Sequence, residues 1–195
     1  MRIVLASRNA HKITEMRRIA PHIEWLPMPE ELGDPPETGA TFEENALQKA
    51  RYVHARTGLW ALADDSGLQV DALGGRPGVH SRRYSPEATD AANNRLLLSE
   101  LGGSPRRTAR YVCVIALVGP AGVERTAWGD CEGSIGFRPS GEGGFGYDPL
   151  FVPEEGDGRT MAELAPEEKD AISHRGAAMA QLDRLLQGID DTLWQ

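Results

Sequence analysis

Two adjacent carboxylates, Asp64 and Asp65, follow the apolar run Trp60–Ala63 and open the segment Asp64-Asp65-Ser66-Gly67. Neighbouring carboxylates disfavour each other's ionisation unless a cation or hydrogen-bond donors compensate. A hard divalent cation takes one or two carboxylates together with phosphate oxygens, which suits this pair. Side chains alternate along a strand, so one Asp reaches a ligand while the other braces it. The same four residues also fit an Asp-rich turn whose carboxylates cap backbone N–H groups, and the motif alone leaves both readings open.

Four more segments carry comparable chemistry. Ser7-Arg8-Asn9-Ala10-His11-Lys12 joins a strand pattern to a helix pattern. Free N–H groups at a helix N-terminus suit a phosphate, with Lys12 adding charge. The GxxxxGK[ST] signature is absent, so this is not a P-loop, and a plain polar turn is the alternative. In the run Glu37 to Asn45, Glu44 has a structural role in a capping box. Glu37 has none and is the better metal-ligand candidate, while Lys49 is placed near Glu44 on a helix face whose default is solvated. Gly141 to Asp148 holds four glycines around Phe145 and Tyr147; its backbone permits close approach, and exposed aromatics flanked by glycine stack on a base. Lys169 precedes Ser173-His174-Arg175-Gly176. With Ser173 as N-cap, two cationic side chains sit in a first helical turn, against the dipole, and call for an anion; an exposed His-Arg pair is the alternative.

The chain has 18 arginines but only three lysines, Lys12, Lys49 and Lys169, and each falls in or beside one of these segments. A compact, flexible ammonium differs from the planar guanidinium fork, and triphosphate clamping favours the former. The 29 acidic against 21 basic residues give net −8, which argues against a nucleic-acid polymer or an anionic membrane surface as partner.

The elements that must position these groups are legible from periodicity. Arg2–Ala6 reads as a buried strand, followed by a helix with Ile13, Met16 and Ile19 on one face, and Ile23–Met28 as a second strand. Thr41–Arg56 is a capped helix stopped by Gly58. Trp60–Ala63 is a short strand, and Thr89–Leu101 a helix ended by Gly102-Gly103. Ala109–Val118 and Glu124–Phe137 form an antiparallel pair, Leu150–Val152 an edge strand, and Ser173 caps one last helix through Leu186. An α/β opening with a later β-meander predicts an α/β fold, a mixed sheet covered by helices and extended into two lobes. At 195 residues the chain is one domain or a tightly joined pair. No signal sequence or bilayer-length apolar run is visible, so a soluble cytoplasmic protein is expected. Cys113 and Cys131 lack CxxC spacing and read as two buried reduced thiols rather than a disulfide.

Taken in order, SRNAHK, ETGATFEENALQKA, ADDSGL, LGGRPGVHSRRY, GGFGYDP and KDAISHRG resemble the motifs of the inosine triphosphate pyrophosphatase family along nearly the whole chain. The resemblance implies an elongated α/β structure, a long mixed sheet flanked by helices in a single 1–195 domain. It also implies a substrate cleft between two lobes, and a homodimer. It implies Mg²⁺-dependent hydrolysis of dITP, ITP and XTP to monophosphate and pyrophosphate. By similarity, Ser7, Arg8, Asn9, Ala10, His11 and Lys12, with Lys49, hold the phosphates. Glu37 and Asp65 hold Mg²⁺, Asp65 also accepts the proton of the attacking water, and Ser66 contacts substrate. Phe145, Gly146, Tyr147 and Asp148 cradle base and sugar, and Lys169, His174 and Arg175 complete base recognition. A nucleotide sensor without turnover, or a phosphatase releasing orthophosphate, are the rival functions.

Overall fold

The apolar residues at 2–5 form β1 (Arg2–Leu5), and the polar turn after it leads into α1 (Ala10–Ile19). The computed structural model describes residues 1–189. β2 (Glu24–Pro27) returns parallel to β1, with Arg2 opposite Glu24. The Pro- and acid-rich segment contains one 3₁₀ turn at Glu30–Leu32. α2 (Phe42–Thr57) begins at Thr41, whose side chain accepts from the Glu44 amide while Glu44 reaches back to the cap, and it ends at Gly58 with φ +69°. Only a residue at ease in that left-handed conformation closes a helix this way.

Six strands make one mixed sheet in the order β2-β1-β3-β4-β5-β6. β3 (Ala61–Val70) runs parallel to β1, pairing Ala61 with Val4. α3 (Asp90–Leu101) follows, then β4 (Thr108–Gly119) and β5 (Val123–Ile135) joined across residues 120–122. The edge strand β6 (Phe151–Pro153) pairs antiparallel with β5. α4 (Pro166–Ile172), α5 (His174–Met179) and α6 (Leu182–Leu186) complete the described chain. No helix among the described residues is long and apolar enough to cross a membrane.

The chain divides into two compact units. The first takes Met1–Asp65, Cys113–Gly129 and the described residues from Ala178 on. Its core gathers Ile3 and Leu5 of β1, Leu62 of β3, Ile115 and Leu117 of β4, Met16 of α1, and Leu182 and Leu185 of α6. The second takes Ser66–Val112 and Asp130–Ala177, with Leu68, Val70, Tyr111, Leu150 and Phe151 packed against Leu97 and Leu101 of α3. Both cysteines are buried and unbridged, and burial pushes the Cys131 thiol up to about 12.

Two expected elements differ. Asp64-Asp65-Ser66-Gly67 is not a turn after a four-residue strand; it is the middle of a ten-residue β3. Asp and Gly normally break strands, but here Lys12 neutralises Asp64 and Lys49 neutralises Asp65, so both carboxylates are tolerated inside the sheet. The last helix is not continuous either. Ser173 ends α4 and caps α5, accepting from the Gly176 amide at 3.0 Å. The Gln181 amide then bonds back to the Ala178 carbonyl at 3.1 Å, a tight turn that separates α5 from α6.

Candidate functional site

In the first unit, β3 and two helices build an ion-paired cluster. Lys12 of α1 lies 2.9 Å from Asp64 Oδ2, with the Asp64 side chain almost wholly buried. Lys49 of α2 lies 2.9 Å from Asp65 Oδ1 and 2.8 Å from Glu37 Oε1. Adjacent strand residues point to opposite faces, so one lysine serves each face of the strand. Asn45, one turn before Lys49, donates from Nδ2 to Asp65 Oδ2 at 3.1 Å and accepts from the Gly39 amide at 2.7 Å. The partner of Lys49 on its helix face is thus Asn45 at i−4. Glu44 instead bonds the Ala40 amide at 2.6 Å, and the solvated face expected for Lys49 is a buried one.

Charge and burial compete in this cluster. Burial pushes the Asp65 carboxyl above its ordinary range, and Lys49 and Lys12 offset that only in part. Burial works against the Lys49 ammonium, but Asp65, Asp64 and Glu37 together outweigh it and hold its pKa above the usual lysine value. Three carboxylates against two ammoniums leave one formal negative charge among these five groups. The cluster therefore draws a further cation before it draws a phosphate. Among the described residues, no three His, Cys, Asp or Glu side chains form a ready-made metal cage. Glu37 and Asp65 do share one cation, the Lys49 ammonium. Two hard oxygen donors converging on one position fit Mg²⁺, which keeps most of its sites for water and phosphate.

The turn before α1 is more self-satisfied than a phosphate loop requires. Ser7 Oγ accepts from the Asn9 amide at 3.2 Å, and Asn9 Oδ1 accepts from the His11 and Lys12 amides at 3.0 and 3.3 Å. Side chains hold N–H groups that were expected to be free, because Asn9 is a strong N-cap. Ala10 and His11 are exposed. Arg8 turns away to the loop before Glu37: its Nη2 donates to the Pro29 and Glu30 carbonyls at 3.1 and 3.0 Å, and its Nε lies 3.4 Å from Asp34.

In the second unit, Asp148 is the hub. Its Oδ2 accepts from Lys169 Nζ at 2.5 Å and from the Phe145 amide at 2.9 Å, and its Oδ1 accepts from the Tyr111 hydroxyl at 3.1 Å. The Phe145 ring lies 4.9 Å from Lys169 Nζ and 5.7 Å from Arg175 Cζ. Arg175, 1% exposed, donates from Nη2 to Ser66 Oγ at 3.0 Å. His174 stacks on Tyr111 at 4.6 Å; both residues are buried, so the alternative of an exposed His-Arg pair does not hold. Gly144 has φ +68°, and a Cβ there would lie 2.1 Å from Asp148 Oδ2, so only glycine fits.

Tyr147 departs from expectation. It is a core residue, 3% exposed, with its hydroxyl donating to the Ser81 carbonyl at 2.8 Å, so Phe145 alone offers an aromatic surface in this loop. Burial pushes the Tyr147 phenol above its ordinary range. Asn45, inside the run Glu37 to Asn45, and Tyr111 carry no role expected from sequence, yet each holds a carboxylate of the candidate site. The i, i+4 spacing of Asn45 and Lys49 was available as a signal; the contact of Tyr111 with Asp148 spans 37 residues and was not.

An open mixed sheet flanked by helices, bearing lysine-carboxylate pairs in one unit and a cation-flanked aromatic in the other, defines an α/β protein. Residues 3–185 match the profile of the family described as Ham1. A dITP/XTP pyrophosphatase of Nocardia farcinica is 52% identical over 97% of both chains, and one of Symbiobacterium thermophilum is 51% identical over 94% of both. The structure of the Staphylococcus aureus Ham1 protein superposes with a TM-score of 0.86 at 40% identity, covering 96% of this chain and 99% of its own. A HAM1 protein from Coxiella burnetii gives 0.86 at 44% identity, covering 97% and 100%. The chain belongs to the Ham1 family.

Proposed function

We propose that this chain is a nucleoside-triphosphate pyrophosphatase that hydrolyses the non-standard purine nucleotides dITP, ITP and XTP to monophosphate and pyrophosphate. Its family membership and the names of its relatives support the reaction class. The single observation that carries the chemistry is the buried Asp65, held by Lys49 and Asn45 beside the Lys12–Asp64 pair. We take residues 1–195 as one working domain, acting as a homodimer in the cytoplasm on the free nucleotide pool.

Glu37 and Asp65 would hold Mg²⁺, which would supply charge neutralisation at the phosphate oxygens. Asp65 accepts a proton from the attacking water as the water oxygen attacks the α-phosphorus. The bond from the α-phosphorus to the bridging oxygen breaks, and pyrophosphate leaves. Lys12 and Lys49 stabilise charge on the departing pyrophosphate, with Ser7, Asn9, Ala10 and His11 lining the phosphate turn. Arg8 acts through the 29–34 loop it tethers.

Phe145 and Gly146 take the base, with Asp148, Lys169, His174, Arg175 and Ser66 around it, and Tyr147 supports them from the core. Hypoxanthine and xanthine present a C6 carbonyl to donors such as Arg175. Adenine presents an amino group there and would leave buried donors unpaired, a large penalty. Incubation with ITP and Mg²⁺ should yield IMP and pyrophosphate. Asp65→Asn should lose about 10²–10⁴-fold in kcat with its circular dichroism unchanged. Orthophosphate as product, full activity of Asp65→Asn, or equal kcat/KM on ATP and ITP would each refute the proposal.

A further inference from the structure

The helix α3 lies outside every motif assigned so far, yet it grips the loop that carries Phe145. Asp90, the first residue of α3, accepts the Gly146 amide on Oδ2 at 2.7 Å. Asn94, one turn later, donates from Nδ2 to the Gly146 carbonyl at 2.9 Å. Residues four apart share a helix face, so both hydrogen-bonding groups of one glycine are clamped by one face of one helix. Gly146 has φ +62°, which keeps it out of any strand ladder. The neighbouring Asn93 holds a second segment, accepting from the Ser85 amide and hydroxyl at 2.8 Å and donating to the Arg82 carbonyl at 3.0 Å. Tyr147 bonds the Ser81 carbonyl in that same segment. The start of α3 thus anchors the loop from both Gly146 and Tyr147.

Phe145 sits between two fixed points. Its own amide is held by Asp148, and the next residue is held by the clamp. Its ring is the aromatic surface flanked by Lys169 and Arg175. We propose that Asp90 and Asn94 are positioning residues for purine recognition: by clamping the Gly146 peptide they set where the Phe145 ring stands relative to Lys169 and Arg175. They act through that peptide, and the phosphate end of the substrate is independent of them. This inference rests on the pyrophosphatase reading given above.

The test separates the two ends of the product. Asp90→Ala removes the acceptor at an exposed position, Asp90→Asn keeps an acceptor while removing the charge, and Asn94→Leu keeps the size while removing the donor. KM and kcat for ITP are measured with inhibition by IMP and by pyrophosphate, alongside thermal melting. Asp90→Ala and Asn94→Leu are expected to raise KM for ITP and Ki for IMP together by about tenfold, the scale of one lost hydrogen bond. Ki for pyrophosphate and kcat stay within about twofold, and Asp90→Asn is close to wild type. A parallel rise of the IMP and pyrophosphate constants, or a fall in melting temperature with neither constant moved, overturns the inference. So does an Asp90→Asn variant as impaired as Asp90→Ala. If Asn94→Leu fails to fold, the exposed Asp90 pair decides alone. A wild-type enzyme that releases no pyrophosphate from ITP overturns the reading of the activity and this inference with it; an active wild type with indifferent variants overturns the clamp only.

Discussion

Replacing Lys49 by Met would keep most of the buried stem and remove only the ammonium that joins Glu37 to Asp65. The lysine side chain is 7% exposed and its Nζ lies 2.8 and 2.9 Å from the two carboxylates. Breaking a buried pair by removing one partner costs about 3–5 kcal/mol, because the remaining charge is left uncompensated. Glu37 is 36% exposed and can turn to water, and Asp65 keeps its bond from Asn45, so the lower end, about 3 kcal/mol, applies. In a chain of this size each kcal/mol is worth roughly 2–4 °C, giving a fall of about 6–12 °C at pH 8. The pH dependence has a definite sign. Asp65 already titrates above the ordinary carboxylate range because burial outweighs its lysines, and loss of Lys49 raises it further. A carboxyl whose folded pKa exceeds its unfolded one takes up protons on folding, so stability falls as pH rises through that window. The deficit of Lys49→Met should therefore shrink at pH 5 and be full at pH 8. Calorimetric melts of both proteins at both pH values decide it. Millimolar Mg²⁺ without nucleotide should also raise the melting temperature of the variant more than that of the wild type, since the cation replaces the missing ammonium. A deficit equal at both pH values, or absent at pH 8, would refute the ion-pair reasoning.

Thr41→Ala removes the side-chain acceptor for the Glu44 amide at 3.1 Å and should cost about 1 kcal/mol, read as a lower melting temperature with unchanged kcat. Tyr147→Phe removes the 2.8 Å donor to the Ser81 carbonyl, which keeps Asn93 Nδ2 at 3.4 Å, and should cost about 0.5–1.5 kcal/mol; a change in ITP-over-ATP preference without a stability loss would refute its core role. Gly144→Ala forces a Cβ to 2.1 Å from Asp148 Oδ2, so KM for ITP should rise sharply while inhibition by pyrophosphate is unaffected.

The scarcity of lysine proves informative in three dimensions. Each of the three lysines ends on a buried carboxylate: Lys12 on Asp64, Lys49 on Asp65 with the more exposed Glu37 beside it, and Lys169 on Asp148. A compact ammonium fits such a confined partner better than a planar fork. Arginine is used in confined places too, since Arg175 and Arg107 are both buried. Arg107 donates to the carbonyls of Ile135, Gly102 and Gly136, a case of fork geometry serving backbone instead of substrate.

What was legible in the linear chain is whatever depends on short-range chemistry. The capping box at Thr41 and Glu44, the Gly58 stop, the helix up to Leu101 and the strand–turn–helix opening all follow from residues within a few positions of one another. The residue types of the site were legible for the same reason: acids, lysines and glycines announce themselves in motifs. Their assignments to one another were not, because those depend on burial and on contacts between distant residues. Only the tertiary structure decided that Asp64 and Asp65 lie within a strand, each neutralised by a different helix. Only there does Asn45 become the second support of Asp65, 20 residues away, and Asn94 the clamp on Gly146, 52 residues away. Local sequence sets backbone preference and which groups carry charge, whereas desolvation and long-range packing determine which of those charges must meet.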